Sequence, residues 1–566
     1  MDIKIEQKIN SWLEEPFDLD TREQVKALIA LSSKELEDSF YTDLSFGTGG
    51  LRGLMGVGTN RMNRYTIRKT TQGLTNYLKK EKPSKGLSVV IGFDNRLHSE
   101  EFAKEACHVL MQNGIDVFLC KKLRPTPYIS FACRYCKADA AIMITASHNP
   151  KEYNGYKVYW QDGAQVVSPH DDGILQEIHK LKDFSIQATS HPGTLHWLEE
   201  NIDVAYIEAL KPLQNFPKEN ATFGKDLKIV YTSLHGTGIT LVPKALANWG
   251  FSSLFLVTKQ VVVDENFSTV QIPNPERLEA LKEGLSLLTA SSADLLLATD
   301  PDADRLGVAV FHKGAPVVLT GNEIASICTE YLCEVHKEIQ NPAIVTTIVS
   351  TDLIRAICKA HKIPCFDVLT GFKYIGEKIH LWEQDPLSPS FLFGAEESYG
   401  YLYGTHSRDK DGIVSCCLLA EIALHYKRQG KTLIDFLHEL YQKYGVYQES
   451  SCSIDFAPGK EGVEAISNLM GHLRANLPLS LCDLKVVHTE DYLQTEKTKL
   501  PKSDVLLFKL EDGSKFIIRP SGTEPKLKIY ISIHSSALLD IQEAIALSEA
   551  KLQMLRKKIT QEISSL

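Results

Sequence analysis

Three aspartates at alternate positions are the most suggestive group of side chains in the sequence. Asp300, Asp302 and Asp304 follow the apolar run DLLLAT, which is typical of a buried strand. Alternate residues of an extended loop can point the same way, and hard divalent cations prefer carboxylate oxygens. An Asp-rich surface turn is the alternative, whereas an EF-hand loop would need a glycine and a glutamate that are missing. The pattern predicts a Mg²⁺ site with coordination positions left for a phosphoryl oxygen.

A second loop presents a serine with the features of a nucleophile. Ser147 lies in TASHNP, directly after the apolar run AAIMI, and a serine in such a turn can point outward. The alternative is a serine that only caps a helix or forms a turn. An α/β-hydrolase is excluded, because the glycines of G-x-S-x-G are missing. His148 adjoins the serine and is either a proton partner or a histidine with a structural hydrogen bond.

Two further loops carry groups that suit the recognition of a phosphorylated sugar. GAEES, residues 394–398, contains Glu396 and Ser398, which either hold vicinal hydroxyls or belong to a solvated acidic turn. RPSGTEPK, residues 519–526, combines an arginine, hydroxyls and a glycine whose backbone amide is accessible, as a phosphate cradle does. Each of the four loops follows a predicted strand, and ligands of open α/β sheets bind beyond the carboxyl ends of strands. We therefore expect the loops to form one cleft.

Two segments resemble nucleotide-binding motifs but lack residues that those motifs require. GKT at 430–432 resembles the end of a Walker A motif, but His425 stands where that motif has glycine. The glycine-rich segment 46–53 has Arg52 in the place of the third glycine of G-x-G-x-x-G. We therefore predict neither a nucleotide kinase nor a dinucleotide-dependent enzyme.

Alternating strands and helices must position these loops. SVVIGFD at 88–94 indicates a strand, 99–114 a helix capped by Ser99, and AAIMIT at 140–145 another strand. The pattern recurs from residue 227 to 404, which indicates three related α/β units with mainly parallel sheets. Residues 504–534 differ, because strands joined by Asp-Gly predict an antiparallel hairpin before a helix at about 536–560. The expected domains are 1–205, 206–325, 326–447 and an α+β domain at 448–566.

Length and charge limit the class of protein. A chain of 566 residues is too long for one core, so several domains are expected. The net charge of -9 argues against a nucleic-acid-binding protein. One basic cluster, at positions 61, 64, 68 and 69, is either a solvated helix face or an attractor of phosphorylated ligands. We expect a cytoplasmic protein without a membrane partner, because the sequence has no signal peptide and no long apolar segment.

Taken together and in order, these loops resemble those of the α-D-phosphohexomutase family. The resemblance spans nearly the whole chain, and TASHNP followed by YNGYK is its most specific part. Three positions depart from the family pattern: Pro301 replaces a glycine, Ala395 follows Gly394, and Tyr399 stands where some members have an acid–base histidine. The last departure leaves the identity of one proton partner open.

The resemblance implies four domains around a central cleft and a role for each motif. Ser147 would carry the phosphoryl group, and an oxygen of the phosphoserine would join the three aspartates as a ligand of Mg²⁺. The remaining catalytic candidates are Lys157 as general base, Arg52 and Arg305 as stabilisers of the transferring phosphoryl group, and His148. The substrate-binding candidates are Thr370, Gly371, Lys373, Glu396, Ser398, Lys410, Arg519, Ser521, Gly522, Thr523 and Lys526.

By the same resemblance, the substrate is a small phosphosugar. The expected reaction interconverts glucose 1-phosphate and glucose 6-phosphate, and also mannose phosphates, with glucose 1,6-bisphosphate as intermediate and activator. One alternative is the same chemistry on ribose or deoxyribose phosphates. A second is a sugar-phosphate-binding protein without catalytic activity, because a fold does not determine a function.

Overall fold

The chain is described here by a computed structural model that covers residues 2–31, 33–44, 50–83, 86–181, 184, 186–457, 460–521, 526–536 and 540–564. These residues form two compact units, each built from separate stretches of the chain. The first unit contains residues 1–318, 375–388 and 400–424. The second unit contains residues 319–374, 389–399 and 425–566.

Three short helices precede the first sheet: α1 (Ile3–Ser11), α2 (Leu19–Leu31) and α3 (Ser33–Phe40). Their core combines aliphatic and aromatic side chains, with Trp12 stacked on Phe17 at a centroid distance of 4.3 Å and in edge contact with Tyr65. Tyr65 belongs to α4 (Arg64–Glu81), and its hydroxyl donates to Asp18 Oδ2 at 2.7 Å. The helical segment is therefore fastened to the first α/β domain by both apolar and polar contacts.

The first sheet has six strands in the order β1-β5-β4-β2-β3-β6. Strands β2, β3, β4 and β6 run parallel, while β5 is antiparallel to β4 and β1. Every residue of β4 is buried, as expected for a strand covered on both faces. The strands are β1 (Gly50–Leu54), β2 (Ser88–Phe93), β3 (Asp116–Cys120), β4 (Ala140–Ile144), β5 (Tyr153–Trp160) and β6 (Leu195–Leu198), and the further helices are α5 (Ser99–Gln112), α6 (Thr126–Tyr135) and α7 (His170–Lys180).

The start of α5 differs from the expected capping by Ser99. The N-cap residue is His98, which has φ 63° and makes no side-chain capping bond. Ser99 is the first helical residue, and its hydroxyl donates instead to Asp94 Oδ1 at 2.7 Å. The Ser99 hydroxyl therefore binds the buried carboxylate of Asp94 instead of capping the helix, as the sequence pattern had predicted.

The basic cluster at the start of α4 is compensated by nearby carboxylates. Each of its side chains forms an ion pair, which favours a structural role over the attraction of phosphorylated ligands. The pairs are Arg61–Asp38, Arg64–Asp18, Arg68–Glu105 and Lys69–Asp43.

A second sheet, in the order β11-β10-β9-β7-β8, forms the next domain. Strand β9 is parallel to β7 and antiparallel to β10, so the loop between β9 and β10 is a tight reversal. The elements of this part are α8 (Glu200–Leu210), α9 (Pro217–Phe223), β7 (Ile229–Thr232), α10 (Val242–Asn248), β8 (Leu254–Leu256), α11 (Leu278–Ala290), β9 (Leu295–Thr299), β10 (Leu306–His312) and β11 (Ala315–Leu319).

The next part is again built of strands that alternate with helices. Strand β12 is parallel to both β13 and β14. The elements are α12 (Gly321–Val335), β12 (Pro342–Thr347), α13 (Asp352–His361), β13 (Cys365–Val368), α14 (Lys373–Glu383), β14 (Ser390–Glu396), β15 (Gly400–Tyr403), α15 (Gly412–Lys427) and α16 (Leu433–Tyr444).

The C-terminal domain contains an antiparallel sheet in the order β16-β21-β20-β19-β18-β17. The predicted Asp-Gly turn joins β19 to β20, and Gly513 adopts φ 84° there. The elements are β16 (Val446–Asp455), α17 (Lys460–Ala475), β17 (Ser480–Leu481), β18 (Leu484–Asp491), α18 (Thr495–Thr498), β19 (Leu506–Leu510), β20 (Lys515–Pro520), β21 (Lys526–Ser535) and α19 (Ile541–Ser564). Among the helices described, none is both long enough and apolar enough to span a membrane.

Candidate active site

The serine loop holds Ser147 in a conformation that L-residues seldom adopt. The loop follows β4, and Ser147 has φ 53°, in the left-handed region. This conformation costs a residue other than glycine about 1 kcal/mol and persists where the surroundings enforce it. The Ser147 amide donates to Thr145 Oγ1 at 2.8 Å, and the Thr145 hydroxyl donates to Asp94 Oδ2 at 2.6 Å. The buried serine is thus oriented by the protein itself.

The aspartate loop between β9 and β10 brings a carboxylate directly to this serine. Ser147 Oγ donates to Asp300 Oδ2 at 2.8 Å. Asp300 Oδ1 accepts hydrogen bonds from the backbone amides of Asp304 at 3.1 Å and Arg305 at 3.0 Å. The loop is therefore folded around Asp300, and the two loops meet at the serine hydroxyl.

The three aspartates fit a divalent cation. One carboxylate oxygen from each of Asp300, Asp302 and Asp304 lies within 4.8 Å of the others, and no second group of His, Cys, Asp or Glu among the described residues does so. All three side chains are buried, and Asp302 Oδ1 and Asp304 Oδ1 have no hydrogen-bond partner. Buried carboxylate oxygens without a partner are costly, and a hard cation satisfies them. The oxygen-only donor set suits Mg²⁺.

Two lysines offset part of the negative charge of this cluster. Lys157 Nζ donates to Asp302 Oδ2 at 2.8 Å and to Asp304 Oδ2 at 2.9 Å, and Lys410 Nζ lies 3.2 Å from Asp304 Oδ2. Burial alone would raise the pKa of Asp304, but the two ammonium groups hold it well below its ordinary value. Burial and the two neighbouring carboxylates instead raise the pKa of Asp300 well above its ordinary value. The two ammonium groups therefore offset the charge of Asp304, whereas Arg305 offsets that of Asp300 only in part.

A histidine lies beside the serine hydroxyl, and two arginines lie close to that histidine. His148 Nδ1 is 3.2 Å from Ser147 Oγ. Burial, reinforced by the charges of Arg305 and Arg52, holds the pKa of His148 well below its ordinary value, so the imidazole is neutral. Arg52 is exposed, while Arg305 Nη1 donates to Glu276 Oε1 at 2.5 Å. The guanidinium groups can neutralise oxygens of a transferring phosphoryl group.

The second unit contains the predicted sugar-binding residues. Strand β14 ends at Glu396, whose buried Oε1 accepts a hydrogen bond from the Gly371 amide at 3.0 Å. This bond joins the GAEES segment to the turn that contains Thr370 and Lys373. Thr370 Oγ1 is buried without a hydrogen-bond partner, and Ser398 is half-buried. The bond thus brings the hydroxyl and carboxylate groups of the two segments close together.

The predicted phosphate loop lies between β20 and β21, in the same unit but later in the sequence. The Ser521 amide donates to the Lys526 carbonyl at 2.8 Å, which closes the loop. Arg519, Ser521 and Lys526 are all half-buried. Gly522 and Thr523 lie outside the described residues, so their assignment stays a prediction from the sequence.

The domain matches agree in order and position with these loops. The chain matches alpha/beta/alpha domain I, alpha/beta/alpha domain II, alpha/beta/alpha domain III and the C-terminal domain of phosphoglucomutase/phosphomannomutase, over residues 43–184, 204–313, 320–444 and 481–548. The chain belongs to the phosphoglucomutase/phosphomannomutase family. The expected family and four-domain α/β fold are therefore confirmed.

Relatives within the family support the same assignment over most of the chain. A phosphoglucomutase of Staphylococcus haemolyticus is 39% identical over 517 residues, which cover 88% of this chain and 92% of the relative. A phosphoglucomutase of Staphylococcus aureus (strain MRSA252) is 36% identical over 534 residues, which cover 91% and 94%.

Solved structures of family members share the fold. Parafusin, a phosphoglucomutase of Paramecium solved in an open form, aligns with a TM-score of 0.69 at 19% identity and covers 91% of this chain and 95% of its own. A phosphoglucomutase/phosphomannomutase family protein of Burkholderia thailandensis aligns with a TM-score of 0.65 at 19% identity and covers 90% and 97%.

One residue of this family member's site was not apparent from the sequence. Thr126, the first residue of α6, donates through Oγ1 to Asp302 Oδ2 at 2.6 Å and through its amide to the Asp302 carbonyl at 2.8 Å. It thereby fixes both the side chain and the backbone of a metal-ligand candidate. A threonine between two prolines at a helix start was the available signal, but its partner lies 176 positions away and only the fold reveals it.

Proposed function

We propose that this chain interconverts α-D-glucose 1-phosphate and glucose 6-phosphate through a phosphoserine at Ser147. The single observation that carries the proposal is the 2.8 Å hydrogen bond from Ser147 Oγ to Asp300, in a buried triad of aspartates with unpartnered oxygens. The relatives named phosphoglucomutase, 36–39% identical, support glucose as the sugar.

The proposed cycle has two phosphoryl transfers. In the first, the bond from phosphorus to Ser147 Oγ breaks, and a bond forms to the free hydroxyl of the sugar monophosphate, giving glucose 1,6-bisphosphate. The bisphosphate then reverses its orientation in the site, and Ser147 Oγ accepts its other phosphoryl group. Atoms are conserved because the phosphoryl group passes to a sugar hydroxyl in the first transfer and to Ser147 Oγ in the second, and never to water. Added glucose 1,6-bisphosphate acts as the activator, because it phosphorylates a serine that has lost its phosphoryl group.

Charge neutralisation is the main requirement of this reaction. Asp300, Asp302 and Asp304 would hold Mg²⁺, which, when bound, neutralises phosphoryl oxygens that otherwise face three carboxylates. Arg52 and Arg305 supply further positive charge at the serine. Without these cations, a phosphoserine beside Asp300 would be strongly repelled.

A proton must move with each transfer, and two groups are placed to take it. His148 is neutral and lies 3.2 Å from Ser147 Oγ. Lys157 is buried and bonded to the aspartates, whose charge raises its pKa despite the opposite effect of burial. Lys157 can accept a proton only as a neutral amine, so we assign it as the general base towards the sugar hydroxyl for the state in which bound Mg²⁺ would replace its ammonium group as the partner of Asp302 and Asp304. His148, which is already neutral, is assigned as the second proton-transferring group.

The proposed substrate-binding residues are those of the loops in the second unit and, in the first unit, Lys410. Glu396 and Ser398 would accept and donate hydrogen bonds to vicinal hydroxyls, next to Thr370, Gly371 and Lys373. The loop with Arg519, Ser521 and Lys526, together with Gly522 and Thr523, would bind the phosphate that does not react.

Phosphorus NMR tests the proposal directly. Purified protein is incubated with Mg²⁺, glucose 1-phosphate and a trace of glucose 1,6-bisphosphate. Growth of a 6-phosphate signal without inorganic phosphate is the expected result. If the protein converts ribose 1-phosphate but not glucose 1-phosphate, the substrate is a pentose phosphate rather than a hexose phosphate. Release of inorganic phosphate would instead refute transfer to a sugar hydroxyl.

A further inference from the structure

One buried arginine binds four carbonyl oxygens of the serine segment. Arg96 Nη1 donates to the carbonyl of Pro150 at 2.8 Å and to that of Tyr153 at 3.1 Å. Its Nη2 donates to the carbonyl of Asn149 at 2.6 Å and to that of Ser147 itself. Only 3% of Arg96 is exposed. A single guanidinium thus binds the backbone carbonyls of Ser147 and of three residues that follow it in the sequence.

The guanidinium is held in turn from two sides. Arg96 Nε lies 3.3 Å from Asp94 Oδ2, and the Arg96 amide donates to Asp94 Oδ1 at 2.9 Å. The ring of Phe267 packs against the guanidinium, 5.0 Å from its centre. Burying an ion pair is expensive, so this pair is poor evidence for added stability. The planar fork of donors, which lysine lacks, is what this position uses.

The backbone amide and the backbone carbonyl of Ser147 are each connected to the carboxylate of Asp94 through one intermediate side chain. The Ser147 amide donates to Thr145 Oγ1, whose hydroxyl donates to Asp94. The Ser147 carbonyl accepts from Arg96, which pairs with Asp94. Together these bonds maintain the left-handed φ of 53° that aims Oγ at Asp300.

We propose that Arg96 is a positioning residue for phosphoryl transfer at Ser147. The inference rests on the proposed function and adds to it the group that keeps Oγ in place. Arg96 donates to backbone carbonyls and acts through the serine loop. Since the left-handed conformation is unfavourable for serine, loss of these bonds lets the loop relax and moves Oγ away from the aspartates. A displacement of about 1 Å at a reacting atom can cost on the order of 10²-fold in rate.

Arg96→Lys is the primary test, with wild-type protein measured in parallel. The substitution keeps the positive charge but cannot bridge four carbonyls. We expect kcat to fall about 10- to 100-fold while KM changes little, because binding of the sugar does not use this loop. Phosphorylation of Ser147 by glucose 1,6-bisphosphate, followed by intact mass, should slow by a similar factor.

Arg124→Lys is the matched control. Arg124 is a largely buried arginine of the same domain, whose fork binds both carboxylate oxygens of Asp203 at 2.8 and 2.9 Å. Its loss should lower the thermal midpoint without changing kcat. An unchanged kcat in folded Arg96→Lys protein, or a loss that matches its unfolded fraction, would overturn the proposal. Inactive wild-type protein would instead refute the proposed function.

Phe267→Leu provides a second, milder variant that does not depend on the stability of Arg96→Lys. It keeps all four carbonyl bonds but removes the ring that supports the guanidinium. A few-fold fall in kcat at constant KM, in the same direction as for Arg96→Lys, supports the proposal. Wild-type kcat in this variant, together with wild-type kcat or misfolding of Arg96→Lys, rejects it.

Discussion

The serine and aspartate loops of the first unit and the recognition loops of the second unit are built differently. In the first, Ser147, Asp300, Asp302 and Asp304 are at most 2% exposed and are bonded to one another or to buried neighbours. In the second, Ser398, Arg519, Ser521 and Lys526 are half-buried. The serine and aspartates proposed for phosphoryl transfer are thus fixed within the protein, whereas these four residues proposed for recognition keep contact with solvent.

This contrast matches the demands of the proposed reaction. Charge stabilisation works best when the charged groups are already oriented, because no reorganisation is then needed during transfer. Recognition must accept a bisphosphate in two orientations, which is easier for side chains that retain freedom. We therefore expect substitutions in the first set to change kcat and those in the second to change KM.

Ser147→Ala should give the largest effect and tests the first half of the comparison. Removing the phosphoryl acceptor should lower kcat on the order of 10⁴-fold or more, while the thermal midpoint changes little. The measurement is mutase turnover together with intact mass after incubation with glucose 1,6-bisphosphate. Ser190→Ala, at an exposed serine, is the control. Turnover near the wild-type level in Ser147→Ala would exclude the phosphoserine mechanism.

Asp302→Asn should have the next largest effect. It removes one negative oxygen from the carboxylate cluster, so kcat should fall about 10²- to 10³-fold and more Mg²⁺ should be needed for half-maximal activity. Titration of activity with Mg²⁺ measures both. Asp294→Asn is a matched control, because Asp294 accepts a hydrogen bond from the Lys228 amide at 2.8 Å, just before the start of β7. An unchanged Mg²⁺ dependence in Asp302→Asn contradicts the metal assignment.

Glu396→Gln tests the second half of the comparison. The amide can still accept from the Gly371 amide but loses the negative charge that strengthens a bond to a sugar hydroxyl. KM for glucose 1-phosphate should rise about tenfold, with a smaller change in kcat. Steady-state kinetics separate the two constants. A loss confined to kcat would show that this loop takes part in the transfer, and would break the division between the two units.

Arg519→Lys should have a smaller effect of the same kind. Lysine keeps the charge but loses the paired donors that match a phosphate, so KM should rise a few-fold at constant kcat. Glucose 1-phosphate kinetics provide the measurement, and Lys528→Arg on the neighbouring strand serves as control. An unchanged KM would remove Arg519 from the phosphate-binding residues.

The smallest effect concerns stability rather than activity. Burial raises the pKa of Glu449 from 4.5 to about 7, and the nearby carboxylates of Asp352 and Glu323 add to the rise, although Thr351 and Lys515 oppose it. Between these two values the unfolded chain has lost a proton that the folded chain keeps, so stability falls as the pH rises. The expected loss is of order 1–3 kcal/mol.

Glu449→Gln isolates this contribution, because glutamine can still pair with Asn322 but cannot ionise. Thermal midpoints of wild type and variant are compared between pH 4.5 and 7.5. Their difference should shift in favour of the variant as the pH rises. A constant difference would show that Glu449 titrates at its ordinary pKa.

Motifs that are local in sequence were the easiest to predict. The strand that ends before Ser147, the aspartate loop between two strands and the Asp-Gly turn before β20 all follow from short patterns. Their backbone conformation depends mainly on neighbouring residues, such as the glycine that a turn with positive φ favours. The cap assigned to Ser99 was wrong because a buried carboxylate outside the helix competes for its hydroxyl.

The residues that support the site were not predicted, because their partners are distant or are backbone atoms. Thr126 contacts Asp302 across 176 positions, and Arg96 binds four carbonyls, which carry no side-chain signature. Neither contact is marked in the sequence by a periodic pattern or by a motif. Both become visible only when strands and loops are placed in space.

By itself the sequence determined which chemical groups this family member carries and in which loops they lie, since hydroxyl, carboxylate, ammonium and guanidinium groups have their properties wherever they stand. The tertiary structure alone decided which of them meet. It set Ser147 Oγ 2.8 Å from Asp300 and left two buried carboxylate oxygens unpartnered. The physical reason is that burial and proximity set the charge state and orientation of a group, and both arise only when distant segments pack together.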